Sequence, residues 1–128
     1  MGWPGFCLYN LPMDKKTLQQ FAENLWSEYC EIFPQLVKFD CPTMVLNNRF
    51  TRTAGCCYQE LNTIHIGAKF FANNKIDMLA VIIPHEIAHQ IDFNLFGVCN
   101  YRGGHGKNWC NIMVQLGLEA NRYHSLEV

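Results

Sequence analysis

Ile76, Leu79, Ala80, Ile83, Ile87 and Ile91 recur at steps of three and four residues, the spacing of a helix with one face in a core. Set into the same stretch is His85-Glu86-Ile87-Ala88-His89. A helix carrying both patterns must be buried and still find partners for two imidazoles and a carboxylate, which narrows the folds open to it. Positions i and i+4 share a helix face with Cβ atoms about 5–6 Å apart. Two imidazoles so placed can reach one metal ion at about 2.0–2.1 Å. Glu86 is turned from the pair yet stays near enough to take a proton from a water that the metal polarises. Pro84 removes one hydrogen bond from the helix ladder, so a kink or a helix start is expected just before His85.

Such a motif needs a third ligand and an open coordination position. His105, in Gly103-Gly104-His105-Gly106, is the leading candidate, because flanking glycines let the backbone approach a metal closely. Asp92 is the rival: it stands at i+7 from His85 and i+3 from His89, on nearly the same face. A carboxylate there more often orients a ligand imidazole. His65 and His124 rank lower, as strand or surface residues. Core or surface histidines with no metal are the bland alternative, and Glu86 together with the glycine-flanked His105 weighs against it.

At 128 residues, 49% hydrophobic and 16% charged, the chain reads as one compact domain over 1–128. Its net charge of −1 supplies no global basic field, so any DNA contact must be local. Arg49, Arg52, Lys69, Arg102, Lys107 and Arg122 are the cations that would form it, although scattered cations are more often solvated surface. The start Met1-Gly2-Trp3-Pro4-Gly5-Phe6 has neither a charged region nor an apolar one, so no secretory signal is expected, and the protein is placed in the cytoplasm, with nucleoid or nucleus as variants. No apolar run approaches the ~20 residues of a membrane span. Seven unevenly spaced cysteines without a C-x-x-C pair read as reduced, buried thiols. A monomer is expected.

The segments assemble into an α+β arrangement. Asp14 is a good N-cap for a helix reaching about Ile32, with Leu18, Phe21, Ala22, Leu25, Trp26 and Tyr29 on one stripe and Pro34 as its stop. Strands are expected at Thr43 to Leu46, Thr53 to Gln59 and Asn62 to Ile66, with Glu60-Leu61 as the tight connection between the last two, in a small antiparallel sheet. Asn73-Asn74 precedes the metal-binding helix and Gly97 stops it. A further helix should run from about Lys107 to Leu116, presenting Trp109, Ile112, Met113 and Leu116 inward, before Gly117. Tyr123 to Val128 alternates weakly and suggests an edge strand.

Three segments carry a family resemblance: Val81-Ile82-Ile83-Pro84-His85-Glu86-Ile87-Ala88-His89, His105-Gly106-Lys107-Asn108-Trp109 and Leu116-Gly117. They resemble the SprT-like metallopeptidases, a family that includes bacterial SprT and the eukaryotic DNA–protein crosslink protease Spartan. The likeness extends upstream to Thr53-Ala54-Gly55 and Ile64-His65-Ile66 and downstream to Tyr123-His124. It implies a small zincin-like domain in which His85, His89 and His105 hold zinc and Glu86 is the catalytic base. Family members often continue into a cysteine-rich zinc ribbon or a DNA-binding tail. The chain given ends at Val128 with neither, so the resemblance is to a minimal form. The loop before His105, with Cys99, Tyr101 and Arg102, reads as a few residues longer than in SprT.

Two readings of function follow. The first is a zinc endopeptidase that binds an extended protein or peptide substrate along an outer strand, acting by resemblance on proteins on or near DNA, with a weak single-stranded DNA contact. Tyr58, Tyr101, Arg102 and His124 are its candidate oxyanion stabilisers. The second is a non-catalytic, zinc-stabilised module docking on DNA or on replication and transcription machinery, for which Cys110 would be the candidate fourth ligand.

Overall fold

The computed structural model describes residues 14–121, so the edge strand expected at 123–128, together with His124, Arg122 and Cys7, lies outside the described residues. Asp14 caps α1 (Lys15–Ile32), its Oδ1 accepting the Thr17 N–H at 2.8 Å. The stripe buried by α1 is the expected one. Pro34, which has no N–H to continue the ladder, opens a 3-10 turn over Pro34–Lys38.

The sheet has three strands, β1 (Thr43–Asn47), β2 (Gly55–Tyr58) and β3 (Thr63–Gly67), in the order β1-β3-β2. Its pairing differs from the antiparallel arrangement expected. β2 and β3 do form an antiparallel hairpin, but β1 runs parallel to β3, which makes the sheet mixed. The reason lies at the end of β3. β1 finishes at Asn47 opposite Gly67, and the chain then passes across that end before β2 starts at Gly55 opposite Ile66. A Cβ on Gly67 would stand 2.9 Å from the Thr53 carbonyl oxygen and 2.9 Å from the Phe70 ring, so only glycine lets the crossing segment lie so close. The hairpin itself turns through Gln59–Leu61, a 3-10 turn closed by Asn62 in the left-handed region at φ 50°.

After β3 come two short helices, α2 (Ala68–Asn73) and α3 (Lys75–Asp77). A π-helical turn, Met78–Ile82, then leads directly into α4 (Ile83–Phe96). The irregularity expected at Pro84 takes this form. Pro84 cannot donate to the Ala80 carbonyl and its ring would press on it, and the widened turn, in which the Ile83 N–H reaches back to the Met78 carbonyl, accommodates both facts. Gly97, at φ 80°, ends α4. α5 (Lys107–Gln115) ends in a paired cap around Gly117, with the Leu118 N–H on the Met113 carbonyl at 2.8 Å and the Gly117 N–H on the Val114 carbonyl at 3.0 Å.

Ile64, Ile66 and Met44 from the inner face of the sheet and Ile83, Ile87 and Ile91 from α4 are fully buried in one core cluster with α1 and α5. α4 is thus held from several sides. Gly67→Ala should cost about 1–3 kcal/mol through overpacking at the crossing, read as a lower urea midpoint with an unchanged slope. An unaltered midpoint would mean that the crossing segment yields freely.

Candidate metal centre

His85 and His89 project from one face of α4 and meet His105, which the loop after Gly97 brings back against the helix. Their ligand nitrogens lie within 4.8 Å of one another. His85 Nε2 is 3.1 Å from His105 Nε2 and 3.3 Å from His89 Nε2. A tetrahedral ion with metal–nitrogen bonds of about 2.0–2.1 Å sets its ligand atoms about 3.3–3.4 Å apart, so the two separations from His85 fit two edges of such a site. The Gly104 carbonyl accepts a hydrogen bond from the His89 ring. That bond leaves the Nε2 lone pair directed at the other two imidazoles. Burial and the neighbouring His105 push His89 down to about 4, which keeps it neutral and able to ligate at neutral pH.

Two glycines in the left-handed region, Gly103 at φ 72° and Gly104 at φ 73°, turn the loop tightly enough to deliver His105. Trp109, fully buried in the first turn of α5, backs all three rings with centroid distances of 4.8 Å to His85, 5.3 Å to His89 and 4.6 Å to His105. Its indole N–H points to the His85 carbonyl at 3.4 Å. In the sequence Trp109 reads as an inward residue of α5 and as the end of a segment that carries the family resemblance; nothing local shows that it packs on the imidazoles.

Glu86 is buried beside the trio, one carboxylate oxygen 4.0 Å from His85 Nε2. The Cys57 N–H donates to that carboxylate, while burial pushes its pKa up to about 8. Gly55 makes room for it: a Cβ there would sit 3.1 Å from Glu86 Cγ. Because the Gly67 N–H bonds to the Ala54 carbonyl at 2.8 Å, the backbone groups of Ala54, Cys56 and Tyr58 face β3. Those of Gly55 and Cys57 therefore face the cleft. This cleft, of about 970 Å³, has β2 as one wall, the 99–105 loop as the other, and His85, Glu86, His89 and His105 along its floor.

The remaining candidates separate. Asp92 is buried in α4 but does not join the group of ligand nitrogens, and neither does Cys110. His65 lies on the outer face of the sheet, its Nδ1 accepting from the Asn47 amide at 3.0 Å and its ring edge-on to Tyr58 at 4.8 Å. Tyr101 lines the cleft. Gln90, which no sequence signal marked, is buried beside the site and bonded to the turn after β2.

The pattern of the SprT-like family matches residues 18–125. The chain is 35% identical over 91 residues to Protein SprT of Vibrio parahaemolyticus, covering 70% of the chain and 53% of that protein. It is 33% identical over 88 residues to Protein SprT of Klebsiella pneumoniae, covering 68% and 51%. The chain thus spans about half the length of these relatives. No solved structure matches it significantly.

Without a cation, Glu86 and His89 set opposite pH dependences. Glu86 binds its proton more tightly folded than unfolded, so its contribution is present at low pH and is lost as pH rises from about 4.5 to about 8. His89 is depressed, so its neutral form adds stability as pH rises from about 4 to 6.5. Above 6.5 only the Glu86 loss remains. In chelator, the parent should lose stability between pH 6.5 and 8 by urea unfolding, and Glu86→Gln should lose much less. Equal losses in both would show that Glu86 does not titrate in this range.

Proposed function

The chain belongs to the SprT-like family, and from that premise we propose that it is a zinc-dependent endopeptidase. The observation that carries the reading is the convergence of three imidazole nitrogens beside a buried carboxylate, open to a cleft whose wall is a strand edge. His85, His89 and His105 hold the ion, and the donor set of three nitrogens suits zinc with one position left for reactants. When bound, zinc supplies Lewis acidity toward water and the scissile carbonyl.

The rest of the chemistry belongs to the chain. An extended peptide pairs along β2, using the Gly55 N–H and carbonyl and the Cys57 carbonyl, which face the cleft. Main-chain pairing reads no side chain, so sequence preference is low. Glu86, held in place by the Cys57 N–H, takes a proton from water and returns it to the leaving amine. A cation beside it favours its carboxylate form and so offsets the cost of burial. Trp109 and the Gly104 carbonyl keep the imidazoles aimed before substrate arrives.

By family resemblance the substrates are proteins on or near DNA. Arg52 lines the cleft and Arg49 is exposed on the same crossing segment, which supports a local contact with single strands next to the peptide path. No helix among the described residues is long and apolar enough to cross a membrane.

Zinc-loaded parent should cleave casein, and more so with single-stranded DNA. Glu86→Gln should bind one zinc per chain and lose at least ~100-fold in kcat, since an amide keeps the shape without the basicity. Cleavage by Glu86→Gln at the parent rate would remove Glu86 as the base.

A further inference from the structure

α4 carries a second polar stripe next to the metal-ligand stripe: Glu86, Gln90 and Asn94, each four residues from the last. Gln90 is 1% exposed, and its carboxamide makes three hydrogen bonds. Its Nε2 donates to the Gln59 carbonyl at 3.0 Å and to Asn94 Oδ1 at 3.0 Å. Its Oε1 accepts from the Cys57 thiol at 3.4 Å. Cys57 and Gln59 bracket the end of β2, and Cys57 is also the residue whose N–H holds Glu86. The strand edge is thus pinned to α4 at consecutive turns of one stripe, while His85 and His89 occupy the neighbouring stripe.

We propose that Gln90 is a positioning residue for peptide cleavage: its carboxamide clamps the end of β2 and the following turn to the metal-ligand helix, and so sets where a peptide paired with that edge presents its scissile bond. The inference rests on the endopeptidase reading. A helix and a short edge strand have no covalent reason to keep a fixed separation, and β2 is only four residues long. Backbone pairing with β3 fixes one side of the strand; on the cleft side, Gln90 and Glu86 reach across the gap. Because the clamp grips both the thiol of Cys57 and the carbonyl of Gln59, it resists sliding along the strand as well as lifting away from the helix. A burial of this kind is costly unless all the carboxamide's partners are present. Gln90 has them from three different residues.

The test compares zinc-loaded parent, Gln90→Met and Asn94→Ala on casein and on a fluorogenic peptide, with zinc affinity measured by chelator competition and Cys57 amide exchange followed by NMR. Methionine keeps the volume and removes the hydrogen bonds. Asn94→Ala, at a half-buried position, removes only one acceptor and serves if the first variant fails to fold. Gln90→Met should lower kcat ~10- to 100-fold, since a 1 Å misplacement can cost about 10²-fold. KM and zinc affinity should stay within about twofold of the parent, because the strand edge and the imidazoles remain. The Cys57 amide should exchange faster, and Asn94→Ala should show smaller changes in the same directions. Parental kcat in both variants, or a zinc affinity that falls in step with kcat, would overturn the positioning role. A parent that cleaves neither substrate would instead overturn the endopeptidase reading, and with it the clamp's part in catalysis.

Discussion

Polar side chains inside a protein must find partners or pay several kcal/mol each, by estimates of roughly 2–7 kcal/mol for an unpaired group. α4 is buried along most of its length and still carries His85, Glu86, Gln90 and Asp92 as buried polar groups, with His89 half-buried among them. The four nearest the cleft also reach partners outside α4: His85 and His89 turn to His105 and Trp109, Glu86 to the backbone of β2, and Gln90 to β2 and the turn beyond it. The site is therefore not decoration on a finished fold. The loop, the edge strand and α5 are placed where they are because the helix's polar groups have to be answered there.

The helix can play this role because its other faces are secured by apolar packing. Ile83, Ile87 and Ile91 are fully buried in the same core cluster as Ile64 and Ile66 of the sheet. The π-helical turn before Pro84 allows α4 to begin against the sheet without the steric conflict that the proline ring would otherwise cause. Glycine solves the tightest problems of approach. Gly55 leaves space for Glu86, and Gly67 lets the chain cross from one side of β3 to the other.

What could be read from the sequence was local. Helical spacing, the Asp14 cap and the Gly97 and Gly117 stops depend on residues a few positions apart, and the helices they delimit formed as expected. The three histidines were legible because ligand chemistry restricts residue type, spacing and glycine context together. Sheet pairing was not legible in the same way. Adjacent short strands pair antiparallel by default, and the parallel pairing of β1 with β3 follows from β3 lying between β1 and β2, a long-range placement that no local residue pattern specifies. Gln90 was silent for a related reason: a glutamine on a helix is ordinarily solvated, and its burial follows from a strand brought in from 33 residues away.

The proposed site takes its ion on three imidazoles and no thiolate, although Cys56, Cys57 and Cys99 line the same cleft. X-ray absorption at the zinc edge of the stoichiometrically loaded protein tests it directly. The expected spectrum has light-atom scatterers at about 2.0–2.1 Å, three of them with the outer-ring signature of imidazole, and no sulfur shell. A sulfur shell at about 2.3 Å, or fewer than three imidazoles per zinc, would contradict a centre of His85, His89 and His105.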